Sequence, residues 1–457
     1  MVGESIHNVK QLIINNYIKK ILLEIRLQQN PRRIALNALI SVLDHGNTLD
    51  QALNDAHDYD LLSRSDRAFV RLILLTTLRH LGEIDKLIST FIKKSLSPRH
   101  IRASHIMRIT AAQLLFLDTP PYAAVSSAVN LAGTDQSTIP LKGLVNAVLR
   151  KLSKVGKTRL KEIDSERVNI PDWLWEKLNS EYGENITREI FKANCRPAPL
   201  DLTLKNPSKV EEWSKRLNAY VLPNKSLRLS NYGRIEDLEG FYEGEWWVQD
   251  AAASFPARMI DNSLNYEIAD LCAAPGGKTA QLAALGAKVT AVDESKTRMK
   301  RLIENLSRLN LDVVLVEQDI LKWTPLNELK QVLLDAPCSA TGTIRRHPEV
   351  PWTRTPSDLE RLKLKQDAML DAVTDIVSPG GKIVYTVCSL LPEEGVERIN
   401  ALLSRKPNIS REKFDLISLG APPSAINKYG DLQTLPCHWK KYDGLDGFFA
   451  TCLRRRQ

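Results

Sequence analysis

The chain has 457 residues, of which 43% are hydrophobic and 26% charged, and it carries a formal net charge of +9. That length exceeds one compact domain and the composition excludes wholesale disorder, while the basic excess admits an anionic partner without demanding one. The six cysteines form no Cys-x-x-Cys pair and the eight histidines show no metal-ligand spacing, so neither a disulfide framework nor a zinc or other metal site is expected.

Residues 1–30 read as one extra amphipathic helix. Lys10, Lys19, Lys20, Glu24 and Arg26 interrupt its apolar runs, so neither a signal peptide nor a membrane span is expected. A cytoplasmic chain with no membrane partner follows from that reading. From about Asn8 to Arg159 the pattern is helical throughout. Apolar residues recur at three and four, as in Leu36, Leu39, Ile40 and Leu43, or Val70, Ile73, Leu74 and Leu78. Pro98, Pro120-Pro121 and Pro140 punctuate the helices. Basic residues gather at Lys93, Lys94, Arg99, His100, Arg102 and Arg108, and again at Arg150, Lys151, Lys154, Lys157, Arg159 and Lys161. Alone they read as a solvated helix face; beside a cofactor domain they point towards holding a substrate.

Between Asp164 and Gly240 prolines at 171, 197, 199, 207 and 223 break the chain into short amphipathic pieces, the texture of a small α+β connector. From Gly244 strand and helix alternate. Strands are predicted at Ile268–Leu271, Val289–Val292, Val313–Val316, Val332–Leu334 and Ile383–Thr386, and helices at Thr279–Leu285, Lys296–Leu309 and Asp358–Val377. This alternation predicts a doubly wound, mostly parallel sheet. Gln433 to Leu453 then reads as one or two closing strands, with Asp446-Gly447 as a turn.

The first of those strands runs into Cys272-Ala273-Ala274-Pro275-Gly276-Gly277-Lys278, a glycine loop that opens a helix. The spacing is not that of a Walker A motif, nor is it the full dinucleotide fingerprint. Gly276 and Gly277 let the backbone approach a ligand at a helix N-terminus. Asp293 ends the second strand, where an acid suits ribose hydroxyls, and Asp319 follows the third, placed for an adenine edge. Each Asp alone would be read as a cap. Three such features in strand order indicate a nucleoside ligand without a pyrophosphate, and S-adenosylmethionine fits that description.

Two cysteines complete the pattern, Cys338 in Asp335-Ala336-Pro337-Cys338-Ser339 and Cys388 in Tyr385-Thr386-Val387-Cys388-Ser389. Each follows a short apolar strand, at the end where an open α/β sheet presents ligands. With Gln249-Asp250-Ala251-Ala252-Ala253-Ser254, the glycine loop, Asp293, Asp319 and Asp446-Gly447-Phe448, these motifs closely resemble the RsmB/NOP family of RNA cytosine-5 methyltransferases. Ile109 to Leu117 and Lys142 to Arg150 resemble the NusB-type helical domain of the RsmB branch. The resemblance implies a multidomain chain. It has an all-α NusB-like domain at 31–163 that binds RNA, the α+β connector at 164–240, and a Rossmann-like α/β methyltransferase domain at 241–457. Residues 1–30 extend beyond the match.

The resemblance also implies roles. Cys388 attacks carbon-6 of cytosine, carbon-5 then takes the methyl group, and Cys338 assists release. Asp335 hydrogen-bonds ring nitrogen 3 or the exocyclic amine. Cofactor binding falls to Cys272 through Lys278, Asp293, Asp319 and Asp335. A cysteine needs help to be a thiolate at neutral pH. Lys382 is too far back along a straight strand, which leaves helix termini or a basic cleft as the source. Arg345 and Arg346, in a loop after the first cysteine motif, suggest a grip on phosphates flanking the base; a solvated basic loop reads equally well. Val387 departs from the family's usual Thr, and at most a modest loss of rate is expected from the missing hydroxyl. The expected substrate is small-subunit (16S) ribosomal RNA, with transfer RNA or another ribosomal site as the rival within the same chemistry, and a non-catalytic RNA-binding assembly factor as the rival outside it. DNA is not expected as a partner, and the chain is expected to act as a monomer.

Overall fold

The computed structural model describes residues 30–92, 96–260 and 267–457. The expected N-terminal extension lies outside the described residues but for Asn30, as do Lys93 and Lys94. The chain divides into two compact units. One runs to Pro171 and takes in His347–Thr353; the other comprises Asp172–Arg346 and Arg354–Gln457.

The first unit is helical: α1 (Pro31–His45), α2 (Leu49–Asn54), α3 (Arg64–Arg79), α4 (Leu81–Ser89), α5 (Ile101–Leu115), α6 (Pro121–Ala132) and α7 (Lys142–Leu160). Local chemistry sets the boundaries. The Asn30 side chain accepts from the Arg32 amide at 3.0 Å, Pro31 occupies the first turn, and Gly46 ends α1 at φ 72°. Thr48 and Gln51 form a capping box on α2. α1 and α3 each turn an apolar stripe inward, whereas α5 buries most of its length, from Ala103 to Leu115, and so runs through the centre. The short segment His347–Thr353 belongs to this packing. Trp352 donates from Nε1 to the Leu78 carbonyl at 2.9 Å, and Glu349 Oε1 accepts from the Leu49 amide at the start of α2.

The second unit begins with α8 (Asp172–Asn194), interrupted where Gly183 sits at φ 76°. A four-stranded antiparallel sheet follows, ordered β2 (Tyr220–Val221), β3 (Leu227–Leu229), β1 (Leu200–Leu204), β4 (Trp246–Val248), with α9 (Val210–Arg216) packed on it. Its fourth strand lies beyond the Gly240 boundary expected for the connector, because Trp246 pairs with Leu204 and is fully buried. The buried Arg228 and Asp201 form a two-pronged ion pair at 2.6 and 2.7 Å that ties β1 to β3.

The main sheet has eight strands. Its path is β10 (Ile409–Glu412), β12 (Phe449–Arg455), β9 (Val377–Val387), β8 (Leu329–Asp335), β5 (Glu267–Leu271), β6 (Lys288–Asp293), β7 (Val314–Glu317), with β11 (Leu432–Gln433) on β12. β5 to β9 pair in parallel and the three additions are antiparallel. Both faces are covered. Val332, Leu334, Ile383 and Tyr385 face α12 (Pro356–Ile376) and α13 (Val396–Arg405), while Leu333 and Val384 face the side of α10 (Gly277–Ala284). α11 (Lys296–Leu309) matches its expected span, with Ser295 capping its start and Asn310 at φ 50° closing it. α12 starts two residues earlier than expected, because Thr355 and Asp358 form a capping box around Pro356. β9 is far longer than expected, since Gly380-Gly381 passes through an irregularity in the ladder instead of ending it.

Candidate active site

The ends of β5, β6, β7, β8 and β9 carry the motif residues. Parallel pairing alone explains why positions fifty apart meet. Asp335, the last residue of β8, stands opposite Thr386 on β9, and the Ala336 amide donates to the Thr386 carbonyl at 3.0 Å. The chain then leaves both strands side by side, and the Sγ atoms of Cys338 and Cys388 come to 3.3 Å. Both are half-buried. Two close passes fix the loops: the Gly342 amide donates to the Cys388 carbonyl at 3.0 Å, and the Gly447 amide to the Gly342 carbonyl at 2.7 Å. A Cβ on Gly342 would stand 1.9 Å from the Gly447 oxygen, so only glycine admits this crossing.

The glycine loop lies beside this pair. Cys272 leaves β5 at φ 60°, Ala273 and Ala274 are buried, a cis bond joins Ala274 to Pro275, and Gly276 caps α10 at φ 103°. The Ala274 amide donates to Asp293 at 3.2 Å, and the same carboxylate accepts from the Ser295 amide at 2.8 Å and pairs with Arg298 at 3.0 Å. A carboxylate offers about four acceptor positions, so Asp293 retains capacity for hydroxyl donors. Asp319 follows β7 and accepts from the Leu321 amide at 3.0 Å. A small hollow is lined by Cys272, Asp293, Asp319, Ile320, Pro337 and Met369, and a cleft of about 260 Å³ by Trp247, Gln249, Gly276, Gly277 and Lys278; Asp335 borders both.

Lys278, expected from the sequence as part of the cofactor loop, is also a cation standing in this site. Its Nζ meets Asp335 Oδ2 at 2.7 Å and lies over the Phe448 ring, 5.2 Å from the centroid. Burial works against its charge, but Asp335, the hydrogen bond between them, and the negative charge of a Cys388 thiolate outweigh that, and its pKa rises. The ammonium therefore persists in the site. Lys382 is committed elsewhere, 3.3 Å from Glu412 and over the Phe414 ring. The Cys338 thiol is driven well above its ordinary range, first by its hydrogen bond with Cys388, then by burial, then by the charges of Cys388 and Glu394. The pair thus holds a proton on Cys338. Burial first, and then the charges of Asp335 and Asp293, push the Cys272 thiol up, which suits lining and not chemistry. Beneath the loop, burial moves the Asp270 carboxyl up to about 7, although Thr279 donates to it at 2.5 Å.

The arginine pair needs correction. Arg345 is 1% exposed and donates to the Asp443 carbonyl at 2.5 Å. Arg346 donates to Asp446 at 2.8 Å, to Asp250 at 2.6 Å and to the Pro199 carbonyl at 3.3 Å. Both guanidiniums face partners within the chain and present no phosphate grip; the Asp443 carbonyl that takes Arg345 and the buried Asp250 and Asp446 carboxylates that take Arg346 lie about a hundred residues away, out of reach of a local reading. Val387, the last residue of β9, is fully buried in the apolar layer with Leu334 and Phe449, whereas Cys388 lies past the strand end against a different apolar cluster. Sequence reasoning also missed Glu394, which lies six residues past Cys388 among the acids of Pro392-Glu393-Glu394-Gly395 and is fully buried. Among the described residues no cluster of three His, Cys, Asp or Glu side chains could hold a metal ion, and no helix is long and apolar enough to cross a membrane.

Comparison with known proteins agrees with this arrangement. The family model described as 16S rRNA methyltransferase RsmB/F matches residues 258–454, and that of the NusB family matches residues 29–154. Ribosomal RNA small subunit methyltransferase B of Klebsiella pneumoniae is 32% identical over 443 residues, covering 94% of this chain and 99% of that protein. The enzyme of the same name from Salmonella arizonae is 32% identical over 396 residues, with coverages of 83% and 91%. Among solved structures, PH0851 shares the fold with a TM-score of 0.73 at 23% identity, covering 93% of this chain and 99% of its own. A methyltransferase homolog from Pyrococcus horikoshii aligns with a TM-score of 0.52 at 26% identity, covering 61% of this chain and 93% of its own.

Proposed function

This chain belongs to the RsmB/F family of methyltransferases, and from that premise we propose that it transfers a methyl group from S-adenosylmethionine to carbon-5 of a cytosine in small-subunit (16S) ribosomal RNA. The observation that carries the reading is the pair of thiols at 3.3 Å beside the Lys278–Asp335 ion pair. The ribosomal substrate is supported by the names of relatives that match along nearly the whole chain.

The residues present fit the methyl donor. Asp293 has acceptor capacity for ribose hydroxyls, Asp319 for an exocyclic amine, and Ile320, Pro337 and Met369 supply the apolar walls a purine needs. Gly276 and Gly277 leave the loop backbone open at the start of α10, beside Lys278 and Asp335. When bound, S-adenosylmethionine supplies an electrophilic methyl group on a sulfonium that departs as a neutral thioether.

The chain's own residues do the rest. Cys388, as thiolate, adds to carbon-6, and the electron pair displaced by that new bond makes carbon-5 the nucleophile that accepts the methyl group. Asp335 accepts from the exocyclic amine, and Lys278 stands beside it as a donor for charge that develops on the ring. Once Cys388 is bonded to carbon, its charge and its hydrogen bond no longer hold the proton on Cys338. Cys338 then releases that proton to water and takes the one on carbon-5. The C–H pair rebuilds the ring double bond, and Cys388 leaves carbon-6 with the bonding electrons. A cytosine inside a helix would have to be unstacked to reach both sulfurs, so a loop or bulge is the expected target.

Bisulfite sequencing of ribosomal and transfer RNA from cells with and without the gene tests the reading. Loss of one 16S cytosine mark supports it, a lost mark in transfer RNA moves the substrate, and no change anywhere overturns it. Cys388→Ala is expected to abolish transfer while retaining donor binding.

A further inference from the structure

Each catalytic cysteine is followed by a serine, and both serines end on one carboxylate. Glu394 Oε1 accepts from the Ser339 amide at 2.8 Å and from Gln366 Nε2 at 3.1 Å. Its Oε2 accepts from Ser339 Oγ at 2.5 Å and from Ser389 Oγ at 2.5 Å. Gln366 Nε2 also donates to the Pro337 carbonyl at 3.0 Å, and Thr341 Oγ1 bridges Ser389 at 3.2 Å and the Leu390 amide at 3.0 Å. The backbone of Glu394 is itself held, since Tyr385 donates to its carbonyl at 2.7 Å. Glu394, Ser339, Ser389, Gln366 and Tyr385 are all buried. A buried carboxylate with four donors is well satisfied, and none of these groups touches the reacting atoms.

We infer that Glu394 is a positioning residue: by gripping Ser339 and Ser389 it fixes the two loop segments that follow β8 and β9 and so sets the separation of the Cys338 and Cys388 sulfurs. The proposal rests on the two-thiol reading above and deepens it. Without the clamp the loops keep the Gly342–Cys388 and Thr341–Leu390 hydrogen bonds but lose the shared carboxylate next to each cysteine, and the thiols lose part of their common register. Misplacement of a reacting group by about 1 Å can cost about 10²-fold in rate. The charge of Glu394 also faces Cys338, in the same direction as the other influences that keep that thiol protonated.

The test uses two readouts on the full chain. The first is capture of phenylarsine oxide, in which two thiols displace the oxide oxygen as water and bridge one arsenic. It reads thiol separation with no reference to RNA, and Cys388→Ala sets the background from the other cysteines. The second is single-turnover methyl transfer to 16S RNA, with KM and kcat measured separately. Glu394→Ala is expected to weaken arsenical capture at least tenfold and lower kcat about 10²-fold, with KM for both substrates within about threefold. Glu394→Gln keeps an acceptor for the two N–H donors and offers its own amide N–H groups to the serine oxygens, one of which can turn its proton to Thr341, so it is expected to recover to within about tenfold of the parent.

A folded Glu394→Ala protein with parental capture and kcat overturns the proposal. So does a Glu394→Gln protein as impaired as the alanine variant. Should Glu394→Ala fail to fold, Ser389→Ala removes one arm of the clamp and is expected to lower both readouts about tenfold; no change in either overturns the proposal. If the parent captures the arsenical but methylates no cytosine, the proposed reaction fails while the clamp is still judged by capture alone.

Discussion

Replacing Cys338 by alanine separates attack from release. Two effects compete in that variant. Cys388 loses the S–H partner at 3.3 Å, and a hydrogen bond to a charged group contributes about 1.5–3 kcal/mol, so the attacking thiolate becomes scarcer by about 10- to 100-fold. A less stabilised thiolate is a better nucleophile, which offsets roughly half of that on a logarithmic scale, leaving attack slower by about 3- to 10-fold. Release loses a general base, which typically contributes about 10²–10⁴-fold. Release therefore slows more than attack, and the covalent adduct accumulates. The site is half-buried, so deletion of one sulfur should cost about 1 kcal/mol of stability and leave the fold intact. Single-turnover reactions with methyl-labelled donor, resolved on a denaturing gel, should show a labelled protein–RNA band in Cys338→Ala and none in Cys338→Ala/Cys388→Ala. Free methylated RNA formed at the parental rate without a band, or a band in Cys388→Ala, would refute the assignment of the two sulfurs.

Three further outcomes are expected. Asp270, buried with its carboxyl raised to about 7 against 3.8 when unfolded, binds more protons in the folded state between those values, so stability falls as pH rises from about 4 to 7, by about 4 kcal/mol at most. In Asp270→Asn, urea unfolding across that window should lose this slope; an unchanged slope would place the titration elsewhere. Arg346→Met strands Asp250 and Asp446, the latter already raised to about 6 by burial, and should cost about 3–5 kcal/mol in denaturant unfolding. A cost below about 1 kcal/mol would show that the two carboxylates do not depend on this guanidinium. Val387→Thr puts a hydroxyl into a fully buried apolar layer and should lower stability by about 1–2 kcal/mol while methyl-transfer rates stay within twofold. A clear gain in rate would mean that the family's usual threonine acts on the neighbouring sulfur after all.

What could be read from the chain alone followed from how local each determinant is. The parallel strands were legible because burial on both faces writes them as short apolar runs, and α11 because Ser295 and Asn310 mark its ends within the sequence itself. β9 was read short because Gly380-Gly381 looks like a break, and only the neighbouring β8 shows that the ladder continues past it. The motif residues were legible as types in order, but their charges were not. That Lys278 meets Asp335 follows from β5, which leads into α10, pairing with β8, a relation 57 positions wide. Arg345 and Arg346 looked like solvent-facing cations because their partners, Asp443 and Asp446 with Asp250, come from distant loops. Glu394 was invisible for the same reason: an acid becomes a buried acceptor only when two serines fifty positions apart are brought to it.

Trp352 and Glu349 bear on the order in which this protein is made. The hydrogen bonds from Trp352 to Leu78 and from Leu49 to Glu349 span 274 and 300 positions. At roughly 5–20 residues per second, the ribosome delivers Thr353 about 10–40 s after Pro171 has been added. Throughout that interval the nascent helices up to Pro171 have their own core, yet the Leu78 carbonyl and the first turn of α2 still lack their partners. Completion of the N-terminal unit is thereby tied to translation of the segment between the two cysteine motifs. A stalled or truncated product would carry an N-terminal bundle that is folded but unfinished.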